Sequence, residues 1–408
     1  MATYGAKALT RIAVASQSAF GTAAAIGTAT GEILFNDTIG SLDLGVTVDL
    51  GENVSVGKRT AIQASQPTIT GKQPVLTIAE APASLRTLPI IFDSIGASTT
   101  GSGPYLWSWS PTQGDVDTLL FESFLVTDGV QKFLIQDAVP TEITLSADAN
   151  NLVQAGATFA ATVAATSSLS FPTAIPTNQF LPGRLMRLGT VAKFPTNRNS
   201  VTNVVQATTT ATITTAAAHG YTTSDVVSIA LLTGPTGYAS LNGTWTVASA
   251  PTATTFTITV PTGTITTGAA TGSVILGTDY ASIYNFNLSI TTGVGMVTAL
   301  DGSITAATAA LTGNLDATLT FTVASNSAAG SSFPITAIGT QKYLRLNGQT
   351  ADSYGLVILG SWTIENIVPL SADNEGVVVN EVSCRLAYDT TSGKSLEVNI
   401  YSPLATAP

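Results

Sequence analysis

Apolar and polar residues alternate with a period of two along most of the chain, the pattern of strands with one buried and one exposed face. Gly31 to Phe35 (GEILF) begins one such run, and Leu42 to Leu50 (LDLGVTVDL) alternates strictly enough to read as one strand. Pro67 to Glu80 (PTITGKQPVLTIAE) predicts another, interrupted near Pro74. Further strands are expected in Tyr105 to Trp109, Leu119 to Val126, Lys132 to Ile135 and Val139 to Val163. The period then changes between Ser84 and Gly96, where Leu85, Leu88, Ile91, Phe92 and Ile95 fall on one helical face. That segment opens on a serine suited to N-capping and closes on glycine, while Pro89 predicts a kink or a later start.

A Ser/Pro/Thr-rich stretch from Ser167 to Gln179 reads as a long loop, and a module of different composition follows. Between Val191 and Ile275 the only charged residues are Lys193, Arg198 and Asp225. Short Thr-rich strands at Ala211 to Thr215, Asp225 to Ile229, Asn242 to Val247 and Thr254 to Val260 predict a small Ig-like β-sandwich. Leu188-Gly189-Thr190 precedes the module and Leu276-Gly277-Thr278 follows it, as if the chain left one place and returned to it.

An internal repeat spans that module. Leu145-Ser-Ala-Asp recurs as Leu370-Ser-Ala-Asp, and the frame around it aligns without a gap. Phe133 meets Ile358, Leu134 meets Leu359, Val139 meets Ile364, Ile143 meets Val368, Leu152 meets Val377, Val153 meets Val378 and Phe159 meets Cys384. Ile69-Thr70-Gly71 has a looser counterpart in Leu311-Thr312-Gly313. The division expected is residues 1–190 and 276–408 as two related units, with 191–275 inserted between them.

Composition adds two constraints. Charged residues make up 10% of the 408, against about a quarter in ordinary soluble domains, so much surface is expected to lie against other subunits. The net charge of −10 argues against wrapping nucleic acid, which takes cationic side chains to neutralise phosphate. The start of the chain lacks the pattern of a secretory signal and no 18-residue apolar run occurs, so folding in the cytoplasm without membrane contact is expected.

Candidate chemistry is sparse. His219 is the sole histidine and lies in a turn-like His-Gly-Tyr, which disfavours multi-histidine metal sites and nucleophile triads. Cys384, the sole cysteine, alternates within a strand and reads as a packing residue. Thr292-Gly293-Val294-Gly295 lacks the lysine and helix of a phosphate loop. Trp107, Trp109, Trp245 and Trp362 are scattered among strands, as core anchors would be, although a sugar platform is the alternative. No paired carboxylates stand out for a glycan-acting enzyme. Neither catalytic, cofactor-binding nor metal-binding residues are expected.

The order of a strand with a polar loop (Leu42 to Gln66), a strand carrying Thr-Gly, a helix ending before Gly96, an Asp128-Gly129 turn and a long strand with VPTEITLS resembles the major tail tube proteins of long-tailed, siphovirus-type bacteriophages. The resemblance covers residues 25–165 and, more loosely, 280–400. It implies a mainly β fold, a tail-tube-type β-sandwich or barrel with a flanking helix, present twice. It further implies a structural virion protein, assembled in the host cytoplasm. Rings of such subunits stack into a tube through which genomic DNA passes without specific binding. Two units per chain leave both trimeric and hexameric rings open. Tape measure, terminator and baseplate proteins would be the other partners, and the inserted domain would decorate the exterior. In that family a loop like 51–66 reaches the next ring, which makes Lys58 and Arg59 candidates for inter-ring ion pairs. A solvated basic pair is the alternative. Asp37, Asp43, Asp49 and Glu52 are candidates for an anionic lumen, and ordinary exposed carboxylates are the alternative. A reading from another class is a capsid decoration or carbohydrate-binding surface protein, which the inserted module alone would suit.

Overall fold

The computed structural model describes residues 11–27, 31–34, 39–49, 68–101, 103–111, 119–173, 177–263, 265–280, 283–299, 303–325, 333–374 and 377–408. The fold is mainly β, with a single short α-helix among the described residues. No helix among them is long and apolar enough to cross a membrane.

Eight strands form the central sheet: β1 (Ile39–Asp43), β2 (Val75–Pro82), β3 (Lys132–Asp148), β4 (Gln154–Ala160), β5 (Ile283–Thr291), β6 (Asp316–Ala324), β7 (Gly355–Asn374) and β8 (Val377–Leu386). Following the pairings, their order is β1-β2-β4-β3-β5-β6-β8-β7, and every neighbour is antiparallel. The order 1-2-4-3 is thus followed by 5-6-8-7, the same path taken by four later strands.

Period-two patterning sorts the side chains. Ile143, Leu145 and Ala147 of β3, Leu288 and Ile290 of β5, and Leu319, Phe321 and Val323 of β6 are buried on one face. A second layer covers that face, and β3 and β7 are long enough to belong to both layers. The first part of β3 leaves the central sheet to lie between Glu122–Thr127 and Val163–Thr166. The first part of β7 lies between Gln341–Gln349 and Leu396–Ser402. Phe124 on the outer layer meets Phe159 of β4 edge to face, with ring centroids 4.8 Å apart. At the bend in β3, Asp137 adopts φ 54°, and its carboxylate accepts from the Gly21 amide at 2.6 Å and from the Thr162 hydroxyl. A bulge lies just beyond, between Pro140 and Glu142, and β7 carries one between Ile364 and Asn366.

The helix is shorter than the periodicity suggested. Only Leu88–Asp93 (α1) is α-helical, because Leu85 to Thr87 form a turn and Pro89 sits within the first helical turn, where a missing N–H costs nothing. Its apolar residues still pack inward, with Phe92 5.6 Å from the Trp109 ring.

Residues 199–276 have their own core, built on Val204, Ile213, Tyr238, Phe256 and Ile258. A sandwich was expected here, but the pairings run in a circle. Asn199–Ala207 pairs with Thr210–Thr215, which pairs with Thr255–Thr259, then Gly243–Thr252, Val226–Thr233, Thr271–Leu276 and back to Asn199–Ala207. The result is a closed six-stranded barrel. The pairing of the first and last of these strands closes it, removing open edges from an almost uncharged module. The barrel hangs from a two-stranded stalk in which Thr190 pairs with Thr278 and Gly189 with Asp279. That stalk joins Gln341–Gln349, a strand of the outer layer.

Candidate assembly surface

The face of the central sheet that points away from the core is mostly polar, with the exposed Val368 and Val378 as exceptions near its β7 edge. Asp43, Glu80, Glu142, Thr144, Ser146, Asp148, Asn285, Asn287, Ser289, Thr318, Thr320, Glu365 and Glu381 lie on it, alternating with the buried residues named above. Several are linked across strands. The Ser146 hydroxyl donates to Glu80 at 3.2 Å, and the Ser289 hydroxyl donates to Glu142 at 3.0 Å. Among the described outward positions of the eight strands the only cation is Arg385, held by Asp316 in a two-pronged pair with contacts of 3.2 and 2.6 Å, while Arg184 and Arg187 stand at the rim beside Asp148. The rest of the face is therefore anionic. A groove of about 460 Å³ hollows it where Ser146, Asp148, Asn285, Asn287 and Glu381 meet. Chemically the face offers carboxylates and hydroxyls over a wide area, with two of the hydroxyls donating to neighbouring carboxylates.

The sheet ends in two unpaired edges. Among the described residues β1 pairs only with β2, and from Asn366 onward β7 pairs only with β8. Natural sheets blunt such edges with charge or proline. Here Pro369 is present, yet Val368 and Leu370 stand beside it, and Leu370 is 72% exposed. Leu145, the first residue of the other Leu-Ser-Ala-Asp, is wholly buried where β5 covers its edge.

The sequence-derived candidates divide unevenly. Asp43 does lie on the polar face, at the open edge, where its carboxylate accepts from the Gly45 amide at 2.9 Å. Asp49 does not share a strand with it. Gly45 adopts φ 57°, and the chain leaves the central sheet there to form Val46–Asp49, which pairs with Thr68–Lys72. Asp37, Glu52, Lys58 and Arg59 lie outside the described residues. The carboxylates of β2, β3, β6, β7 and β8 were missed because an exposed acid between buried apolar residues looks alike on any strand. Only the sheet order assigns them to one surface.

The remaining singletons are packed. Each of the three main-body tryptophans is buried, and Trp107 and Trp109 donate to the carbonyls of Leu404 and Ile95 at 2.7 and 3.0 Å. Trp245 is half-buried in the barrel and donates to the Leu241 carbonyl at 2.7 Å. The buried His219 ring stacks on Tyr221, and its Nδ1 accepts from the Tyr221 amide at 2.9 Å. Burial pushes the Cys384 thiol up to about 12, so it stays protonated and unreactive at neutral pH. No group of three His, Cys, Asp or Glu residues that could hold a metal ion occurs among the described residues. The chain matches no protein-family model, and no curated protein is similar to it at a significant level.

Proposed function

We propose that the chain is the tail tube subunit of a long-tailed bacteriophage, a non-catalytic structural virion protein whose copies close into stacked rings. The observation that carries the reading is the eight-stranded sheet: apolar on the face that meets the outer layer, polar and anionic on the other, and open at both edges. A protein lining a channel for DNA needs a wide wall without cationic clusters, so that phosphate is repelled over about 8 Å and slides past. The repeated order of strands supports a duplicated unit, which suits a ring of three copies or of six. Three copies supply six units and twenty-four strands. At about 4.8 Å between strands and a tilt of about 40°, such a wall is about 48 Å across at the backbone.

In this reading the six-stranded barrel stands on the tube exterior. Its stalk joins the outer layer, on the side of the core away from the polar face. Tape measure, terminator and baseplate proteins are the further partners. Negative-stain microscopy of the purified chain tests the reading. Stacked rings or tubes with a central channel are expected, and monomers that persist at high concentration without a bore overturn it.

A further inference from the structure

The chain contains its own template for the contact between copies. β3 and β7 hold matching places in the sheet, as do β5 and β1. Thr144 of β3 pairs with Gly156, and Val368 of β7 pairs with Glu381, which stands 225 residues after Gly156. On the other side, Ala160 pairs with Val75, which pairs with Asp43. Arg385, again 225 residues after Ala160, pairs with Thr318, which pairs with Ser289. Val368 therefore corresponds to Thr144, and Asp43 to Ser289. Within the chain, Thr144 and Ser289 are directly opposite each other at the joint between β3 and β5.

From this correspondence we infer that β7 of one copy pairs antiparallel with β1 of the next, in the register that puts Val368 opposite Asp43. The occupant of each open edge is a second copy of this chain, and the inference rests on the ring reading above. Three observations carry it. Both edges are unpaired among the described residues, and the strands that match them are joined within the chain. Both edges also present aliphatic side chains to solvent, Val368 and Leu370 on β7 and Leu44 next to β1. Finally, Thr144 and Ser289 at the template joint both point outward, as do the corresponding Val368 and Asp43, so repeating the joint keeps the same face of the sheet on the same side. A ring closed in this way has no free edges.

Cysteines test the register. Directly opposed residues of antiparallel strands have Cα atoms about 4.5–5.5 Å apart, within the range a disulfide spans. The double variant Asp43→Cys with Val368→Cys is oxidised and run without reductant, beside the reference Thr144→Cys with Ser289→Cys. The native Cys384 is buried and stays out of the chemistry. The reference closes within one chain and remains a monomer. The edge pair is expected to give a ladder of covalent oligomers ending at the ring number, while neither single variant gives one. Rings seen by microscopy without the ladder overturn the register and leave the ring reading standing. Absence of both rings and ladder overturns the two together. Hydrogen exchange on the unmodified protein covers the case of a variant that misfolds. Amides of residues 39–43 and 366–374 are expected to exchange at least ~10-fold more slowly in rings than in dissociated chains, and equal exchange overturns the proposal.

Discussion

The guanidinium of Arg345, wholly buried, donates to the carboxylate of Asp279 and to the carbonyl of Leu276, so one side chain of the main body grips the segment by which the chain leaves the barrel. Asp279 is itself held by the hydroxyl of Ser228, which points outward from a barrel strand. Taking away one member of a buried ion pair leaves the other charge stranded, at a cost of about 3–5 kcal/mol. Arg345→Met is therefore expected to lower stability by that order in urea denaturation. Adding Asp279→Asn to it should restore part of the loss. A single variant within ~0.5 kcal/mol of wild type would show that the pair does not hold the stalk.

Period-two alternation made the strands legible, and β3 is the clearest case, with Ile143, Leu145 and Ala147 turned inward as their spacing requires. Departures arise where backbone geometry breaks the period. Leu42 to Leu50 reads as one strand, but the left-handed turn at Gly45 divides it, and a Cβ there would collide with the carbonyl of Gln73. The frame that joins Val139 to Ile364 and Phe159 to Cys384 matches buried residues with buried residues. Between them it slips by one. Ile143 is buried whereas Val368 is exposed, and Ile367 takes the inward place: both strands carry a matching bulge, but Pro140 pairs with Phe159 where Ile364 pairs with Cys384, so β7 is paired one residue out of the sequence frame. The polar face was largely illegible for a related reason: which strands share a sheet depends on pairings between residues more than a hundred positions apart.

Asp93 and Glu122 predict an unusual pH dependence. Burial raises the Asp93 carboxyl from its ordinary 3.8 to about 6. Burial also raises Glu122 well above the usual range, the Asp93 charge adds to this, and the Ser16 hydroxyl opposes it. Both groups bind protons more tightly in the folded chain than in the unfolded one. Their contribution is therefore most favourable below about pH 4 and is lost as pH rises from there through 6. Asp93→Asn removes that loss. It is expected to raise stability at pH 7 by up to ~3 kcal/mol, with the gain fading by pH 4. Urea midpoints at pH 4, 5, 6 and 7 check the sign. A gain independent of pH would mean that the carboxylate charge is not what the fold resists.

Removing the barrel separates its stability from that of the main body. Thr190 pairs with Thr278, so Val191 and Gly277 stand at the end of a ladder that a two-residue turn can close. A chain with residues 192–276 replaced by Asn-Gly should fold and, in the proposed reading, still form tubes. It should also be less stable. Ile275 and Phe194 cover Val357, Leu359 and Tyr401 of the outer layer, and uncovering side chains of this size costs about 1.5–3 kcal/mol apiece when exposure is complete. The Arg198 guanidinium, 3.5 Å above the centre of the Tyr401 ring, is lost with them. Melting temperature and microscopy read the two outcomes. A shortened chain that melts normally but never assembles would place the barrel within the ring contacts.

The anionic face predicts a change in DNA behaviour when its sign is reversed. Glu142, Asp148 and Glu381 stand on that face away from the Arg385–Asp316 pair, and none forms an ion pair among the described residues. Charges on one face add up, so substituting lysine at the three positions changes each chain by six charge units there. If the face lines a channel for DNA, tubes of Glu142→Lys, Asp148→Lys, Glu381→Lys protein should assemble yet retain DNA that wild-type tubes release. The retention should weaken steeply with salt, because bound phosphate releases counterions, with a slope of about −0.9 per contact on a logarithmic scale. Nuclease protection of DNA threaded through the tubes, measured from low to high salt, reads this effect. Protection equal to wild type at every salt concentration would remove the face from the DNA path. Loss of assembly at low salt alone would instead mark it as a contact between neighbouring copies.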